Sequence, residues 1–373
     1  MRISTRSGYR CAVTNDAPGA LSLIRKEVHS ELTSYLTLQR EYLSEIGSEL
    51  IPVCDALESF LLDGGKRLRP LFAYAGFCAS GLTPTQEDIR AFTSLELLQA
   101  CALIHDDLMD GSDTRRGKPA IHRHFENLHQ QGAMAGLSGK FGEAAAVLLG
   151  DLALVWSDHM LHTSGVTSDA LLSALTVHDE MRIELMAGQY LDVRESGEKT
   201  PSVDRSLRIA RYKSGKYTIE RPLHLGLALA HRDSSERKNL MYILSSYGLP
   251  LGEAFQLRDD ALGIFGDPAV TGKPAGDDLR EGKRTVLMAM TLEKANHNQR
   301  SIIESSLGDP DLTSKQVEDV RAAIIETGAV KDVEDLIDGL LSSALEAANS
   351  DEIAPSAREL LIELATSAIR RSH

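Results

Sequence analysis

Apolar residues in this chain recur at the period of a helix and not at that of a strand, which confines the fold to one class. Leu21, Ile24, Val28, Leu32 and Leu36 share one face of a helix running to about Ile46. A second helix spans about 50–62 and stops at Gly64–Gly65. Thr83-Pro84-Thr85-Gln86 predicts the start of a third, with Pro84 in the first helical position and Thr83 and Gln86 as the halves of a capping box. That helix runs on through Ile89, Phe92, Leu95 and Ala102. Further helices are expected at about 143–163, 168–195, 203–214, 217–231, 234–248 and 250–265, and again after a second capping box, Thr313 with Gln316. Residues 127–142, with four glycines, read as a loop. Residues 266–284 form a long polar Gly/Pro loop, of a length more often functional than idle. No alternating apolar run with a hairpin turn interrupts the series, so an all-α fold is predicted.

With 373 residues, 42% hydrophobic and 25% charged, the chain can bury a large core in one helical domain or two. No apolar run reaches the roughly 18 residues that span a bilayer, so no transmembrane segment is expected. Residues 1–20 lack a continuous apolar stretch and read as a flexible arm, not a secretory signal. Cys11, Cys54, Cys78 and Cys101 show no CxxC spacing and read as reduced thiols of a cytoplasmic protein. A net charge of −14 argues against nucleic acid as a partner. It opposes an anionic small substrate as well, unless bound cations and local basic residues reverse the field in one place.

Four segments supply such a place. Leu95–Arg116 is an apolar helical run ending in Asp106, Asp107 and Asp110, followed by Arg115 and Arg116. Asp106 and Asp110, four apart, present their carboxylates on one helix face, where they repel unless a cation lies between them. Paired hard oxygens suit Mg²⁺, which completes its shell with water and substrate phosphate. An acidic helix C-terminus also opposes the macrodipole, so it needs a reason to exist. Gly64-Gly65-Lys66-Arg67-Leu68-Arg69-Pro70 follows two glycines with three cations, a combination suited to a diphosphate but not in P-loop spacing. Lys213-Ser214-Gly215-Lys216 interrupts a helix with two lysines. Gln256-Leu257-Arg258-Asp259-Asp260 ends another apolar helix in acid, with Lys273 and Lys283 in the loop behind it. Cations held by the two acidic helix ends would bridge to a diphosphate, and the basic segments would neutralise its outer oxygens.

With these motifs in this order, the chain resembles the trans-isoprenyl diphosphate synthases of the polyprenyl synthetase family, and most of all its bacterial geranylgeranyl diphosphate synthases. GGKRLRP, DDLMD followed by RRGKPAIH, KSG, and QLRDD with GKPAGDDLREGKRT carry the resemblance over roughly residues 55–290. The resemblance implies one all-helical domain over 21–373, a bundle of antiparallel helices around a deep apolar cavity, and a homodimer. It implies that Lys66, Arg69, Gln99 and Arg116 hold isopentenyl diphosphate. Arg115, Lys213, Ser214, Gln256, Lys273 and Lys283 would hold an allylic diphosphate: dimethylallyl, geranyl or farnesyl. Asp106 and Asp110 would bind two Mg²⁺ and Asp259 a third, with Asp107 and Asp260 supporting them. Asp106, Asp110, Asp259, Lys213 and Lys273 would thus carry an ionisation, condensation and elimination that needs no protein nucleophile. His105, beside the aspartates, is expected to pack.

One departure stands out: many members read DDxxD in the second motif, and here it is DDALG, with Gly263 in the last position. One carboxylate with water and substrate oxygens can hold Mg²⁺, so the glycine bears on the third metal and not on the reaction class. For product length, the residues four and five before the first aspartate are the small Ala102 and Cys101. Leu98 lies a further turn down, about 12 Å from Asp106 at the helical rise. Geranylgeranyl diphosphate is therefore the expected product, with farnesyl or longer chains as alternatives. A class I terpene cyclase would have no use for a second diphosphate site, and a non-catalytic subunit would be expected to lose an aspartate motif. A ferritin-like metal bundle needs two ExxH pairs, and Glu126 with His129 makes one.

Overall fold

The computed structural model describes residues 17–198, 200–230, 234–266 and 276–369. Helix α1 (Ala17–Ile46) has Pro18 in its first turn, where its missing N–H has no partner to lose. The expected face, Leu21 to Leu36, is buried. The helix takes in residues 17–20, assigned above to the arm; residues 1–16 lie outside the described residues. Helices α2 (Ile51–Leu62) and α3 (Leu68–Ala79) flank the Gly64–Gly65 loop. Helix α4 (Gln86–Met109) starts later than expected. Thr85 is its N-cap, and Asp88 closes the capping box by accepting from the Thr85 N–H (2.8 Å) and hydroxyl (3.0 Å), which leaves Pro84 ahead of the helix.

A short ribbon, β1 (Thr114–Arg115) paired antiparallel with β2 (Lys118–Pro119), departs from the all-helical pattern. Its turn is Arg116-Gly117, with φ of 53° and 74°, the left-handed pair that a tight hairpin demands. Helices α5 (Ile121–Gln131) and α6 (Ser138–His162) occupy most of the stretch expected as a loop. Gly142 serves packing: a Cβ on it would come within 2.1 Å of the His122 carbonyl, so α5 and α6 touch backbone to backbone. Glycine content alone does not separate that use from a turn.

Next come α7 (Ser168–Ser196), α8 (Val203–Ile209), a π-helical segment (Ala210–Glu220), α9 (Arg221–Leu229) and α10 (Ser234–Phe265). The KSG segment does not interrupt the helix; it widens it. Such i→i+5 windings gather at functional sites. Pro250 likewise lies inside α10 without ending it, its lost hydrogen bond offset by the buried Tyr247, Leu251 and Ala254. A single turn, α11 (Asp277–Arg280), precedes α12 (Val286–Lys294), α13 (His297–Ser306) and α14 (Ser314–Thr327). The Thr313–Gln316 capping box forms as expected. Helices α15 (Ala329–Ala348) and α16 (Pro355–Ile369) complete the described chain.

Helix α4 belongs to two core clusters. Phe92, Leu95 and Leu98 pack with α3, α7, α9 and α10, while Leu97, Ala100, Cys101 and Ile104 pack with α1, α2, α5 and α6. A helix buried on opposite faces marks the centre of a fold, and its acidic end opens towards a cavity. Helix α6 is long and apolar enough to cross a membrane, but it buries Ala146, Leu149, Ala153, Trp156 and Met160 against its neighbours and carries Asp151 and Asp158 at mid-length. It is a core helix. Cys54, Cys78 and Cys101 are buried free thiols, and Cys11 lies outside the described residues.

Candidate active site

The two acidic helix ends open into one cavity of about 1020 Å³ between α4, α7, the π segment and α10. Glycines bring these elements together. A Cβ on Gly188 of α7 would lie 2.4 Å from the Lys213 backbone N, and one on Gly252 of α10 would lie 2.6 Å from the Gly215 Cα. Side-chain-free contact on both sides holds the π segment, with Lys213 and Ser214, against α7 and α10, facing the same cavity as Asp106 and Asp259. All four line the cavity.

Each carboxylate of the Asp106–Asp110 pair faces an ammonium. Lys213 Nζ is 2.9 Å from Asp106 Oδ1, and Lys283 Nζ is 3.0 Å from Asp110 Oδ2. Burial works to raise the Asp106 pKa, but Lys213, Lys283 and Arg115 together hold it well below the usual carboxylate range. For Asp110 burial prevails over Lys283 and the pKa rises. The two lysines stand where small hard cations would sit, and the donor set is oxygen throughout, which fits Mg²⁺. Among the described residues no three His, Cys, Asp or Glu side chains converge on one point. Among the described residues these carboxylates form an open arrangement and no closed cage.

Asp107, expected to support the metal-binding aspartates, is fully buried, takes no part in the cavity wall, and accepts from Arg115 Nε at 2.9 and 3.1 Å, with Arg115 Nη2 closer still. It anchors an arginine, and Arg115 reaches the cavity from that anchor. On α10, Asp259 is exposed to the cavity while Asp260 is buried, its pKa pushed up to about 8 chiefly by burial. Gln256, expected on the allylic diphosphate, donates to Asp260 Oδ1 at 2.7 Å. Lys273 lies outside the described residues.

Lys66, Arg69, Gln99 and Arg116 gather at another part of the same cavity. Arg67, with φ of 53°, turns inward to a buried ion pair with Glu96, which leaves Lys66 exposed and Arg69 on the wall. Arg69 donates to the Thr218 hydroxyl at 2.7 Å and lies 4.2 Å over the Tyr217 ring, whose hydroxyl donates to Gln99 Oε1 at 3.2 Å. Arg116 Nη1 is 3.3 Å from the Phe60 carbonyl. Leu98, Cys101 and Ala102 line the apolar wall with Leu185 and Phe255. The His105 ring rests on Gly150, with Nε2 3.2 Å from the Val147 carbonyl.

Sequence reasoning missed several members. Gln189 donates to Asp106 at 2.9 Å, and Asp192 accepts from Lys213 at 2.6 Å, both from α7. Their i, i+3 spacing was the available signal, but α7 shows polar residues all along its length and nothing set these two apart. Tyr217, Thr218, Asp278 and Arg284 also line the cavity. Ser112 donates to Glu281 at 2.6 Å, tying the end of α4 to the segment after α11.

A cavity with two acidic rims and two basic ends, walled by helices, defines a class: enzymes that bring two diphosphate esters together and separate one from its carbon chain. Residues 52–325 match the polyprenyl synthetase family, and the chain belongs to that family: it is a trans-isoprenyl diphosphate synthase, a prenyltransferase. Its fold superposes on a geranylgeranyl pyrophosphate synthase of Corynebacterium glutamicum, solved with isoprenyl diphosphate and magnesium. The TM-score is 0.90 and the identity 39%, over 94% of this chain and 99% of that one. It is 32% identical to a geranylfarnesyl diphosphate synthase of Aeropyrum pernix, over 72% of this chain and 77% of the relative. It is 30% identical to a farnesyl diphosphate synthase of Escherichia coli, over 78% and 90% respectively.

Proposed function

We propose that this enzyme condenses isopentenyl diphosphate with an allylic diphosphate, head to tail and trans, and that its main product is geranylgeranyl diphosphate. The observation that carries the site assignment is the pairing of Lys213 with Asp106, at 2.9 Å, on the wall of a cavity that Lys66, Arg69 and Arg116 also line, with Asp110 just behind that wall and joined to it through Lys283 at 3.0 Å. Asp106, Asp110 and Asp259 would hold magnesium, which supplies positive charge for the departing diphosphate. Lys213, Lys283 and Arg115 then bind that diphosphate's outer oxygens and stabilise the charge that builds as the allylic C–O bond breaks. The double bond of isopentenyl diphosphate, held by Lys66, Arg69, Gln99 and Arg116, attacks the resulting cation, and the released diphosphate accepts the proton. The apolar wall keeps water from the cation. His105 is left as a packing residue.

Cys101 and Ala102 are small, so a growing chain passes them and meets Leu98 deeper on the same wall. This supports a twenty-carbon product over a fifteen-carbon one. Two copies of the chain would associate through Val147, Leu148 and Val155 of α6, exposed apolar residues on the side turned away from the core. The reaction and the product are tested together by incubating purified protein with isopentenyl diphosphate, Mg²⁺ and each allylic primer in turn. A dominant twenty-carbon diphosphate on chromatography is the expected result. A fifteen- or twenty-five-carbon product would move the cavity floor, and no product would defeat the assignment.

A further inference from the structure

Gly263 stands four residues after Asp259 on α10, the same interval that separates Asp106 from Asp110 on α4. An i, i+4 acid pair therefore exists at one rim of the cavity, and its counterpart at the other rim lacks its second member within the helix. The space is not empty. A Cβ built on Gly263 would lie 1.8 Å from Asp278 Oδ2, 2.5 Å from its Cγ and 3.2 Å from Oδ1. The carboxylate of Asp278 thus fills the volume that a side chain at 263 would enter, and it comes from α11, fifteen residues further along the chain. Gly263, Asp259 and Asp278 all line the cavity.

From this overlap we infer that Asp278 is a metal-binding residue of the second acidic rim, supplying across space the carboxylate that Gly263 cannot supply along the helix. Two further observations fit. The Asp278 side chain is largely buried, at 14% exposure, and its Oδ1 is 3.8 Å from Lys283 Nζ, the ammonium that also meets Asp110. Asp278 thus shares the Lys283 ammonium with Asp110 of the first rim and with Glu281, whose carboxylate lies nearest at 2.5 Å. Gly263 leaves room for this arrangement: a side chain there would meet the Asp278 carboxylate where it now lies, so the two positions draw on the same space.

The inference rests on the assignment of Asp259 to a metal, and the experiment separates the two. Purified wild-type protein is titrated with Mn²⁺ in the presence of inorganic diphosphate, without prenyl substrate, and free Mn²⁺ is read by electron paramagnetic resonance. Asp278→Asn is expected to weaken the Mn²⁺ binding about tenfold or more, the range for loss of a supporting metal-site residue. Gly263→Asp combined with Asp278→Gly, which returns the carboxylate to the helix, is expected to recover affinity to within about threefold of wild type on the same scale. Circular dichroism melts of each variant establish that it is folded. Wild-type affinity in Asp278→Asn would overturn the inference and leave the Asp259 assignment standing. A folded double variant that stays as weak as Asp278→Asn would overturn the claim that the two positions share one carboxylate site. Wild-type protein that takes up no Mn²⁺ with diphosphate would remove the metal assignment itself, and the inference with it.

Discussion

Asp106 and Asp107 are adjacent in sequence and opposite in role. A 100° step around α4 sends the first to Lys213 at the cavity and the second to Arg115 in the core. Asp106→Ala should lower kcat at least about a hundredfold, the usual loss when one group that stabilises developing charge is removed. Asp260→Ala should be milder, because Asp260 is buried behind Asp259 and hydrogen-bonded to Gln256. Steady-state kinetics check both, and near-normal turnover in Asp106→Ala would defeat the site. His178 and His224 make a prediction about stability. Burial first, then Arg182 and Arg221 respectively, depresses both from 6.5 to about 4. The unfolded chain takes up protons below about 6.5 that the folded chain refuses until about 4, so stability is full above that window and falls as pH drops through it. Thermal melts across the window should show Tm falling with pH, and His224→Gln should make the fall shallower. A slope identical to wild type would remove His224 from the explanation. Charged motif residues were legible at this scale because few other arrangements explain acids at a helix C-terminus. Gln189, Asp192 and Tyr217 were not, since a polar residue on a helix carries no mark of which way its face turns.

The elements that position these residues meet through glycines. Gly215 and Gly252 let the π segment and α10 touch along their backbones, and Gly188 does the same between α7 and the π segment. Gly252→Ala should cost about 1–3 kcal/mol, as overpacking does in a tight interior, and should lower kcat by parting α10, which carries Asp259, from the π segment, which carries Lys213. A melt and an activity assay together check it; a variant with unchanged Tm and kcat would show that the helices separate freely. On α4, Leu98→Ala should lengthen the product by opening the wall below Cys101 and Ala102. An unchanged product on chromatography would put the floor on another helix. Helices α1, α2, α4 and α6 to α10 were legible from their apolar period and α14 from its capping box, whereas α3, α12 and α13 were not foreseen. The other errors fell at glycine and proline: α5 and the start of α6 were taken for a loop, KSG for a break and Pro250 for a boundary. A residue that removes a side chain or an N–H looks the same in sequence whether it ends a helix or lets another helix approach.

Across the whole molecule, the net charge of −14 coexists with a cavity that collects Lys66, Arg69, Arg115, Arg116, Lys213 and Lys283. The surplus acid lies elsewhere, so an anionic substrate is drawn to one place. The outer side of α6 carries Val147, Leu148 and Val155, exposed by 45%, 65% and 60%. This is the face proposed for association with a second copy. Leu148→Glu should convert a dimer to a monomer by light scattering after gel filtration. Wild-type protein that elutes as a monomer would rule out this face as an interface.

By itself the sequence determined the helical class, the two acidic helix ends, the basic segments and the family, because each depends on spacing within one short stretch. Tertiary structure alone decided which aspartate faces the cavity and which holds an arginine. It decided that glycines at 188, 215 and 252 bind helices together. It also showed that the carboxylate missing at Gly263 is met by Asp278 from another segment. These depend on distances between residues far apart in the chain, and periodicity along one helix carries no information about what packs against it.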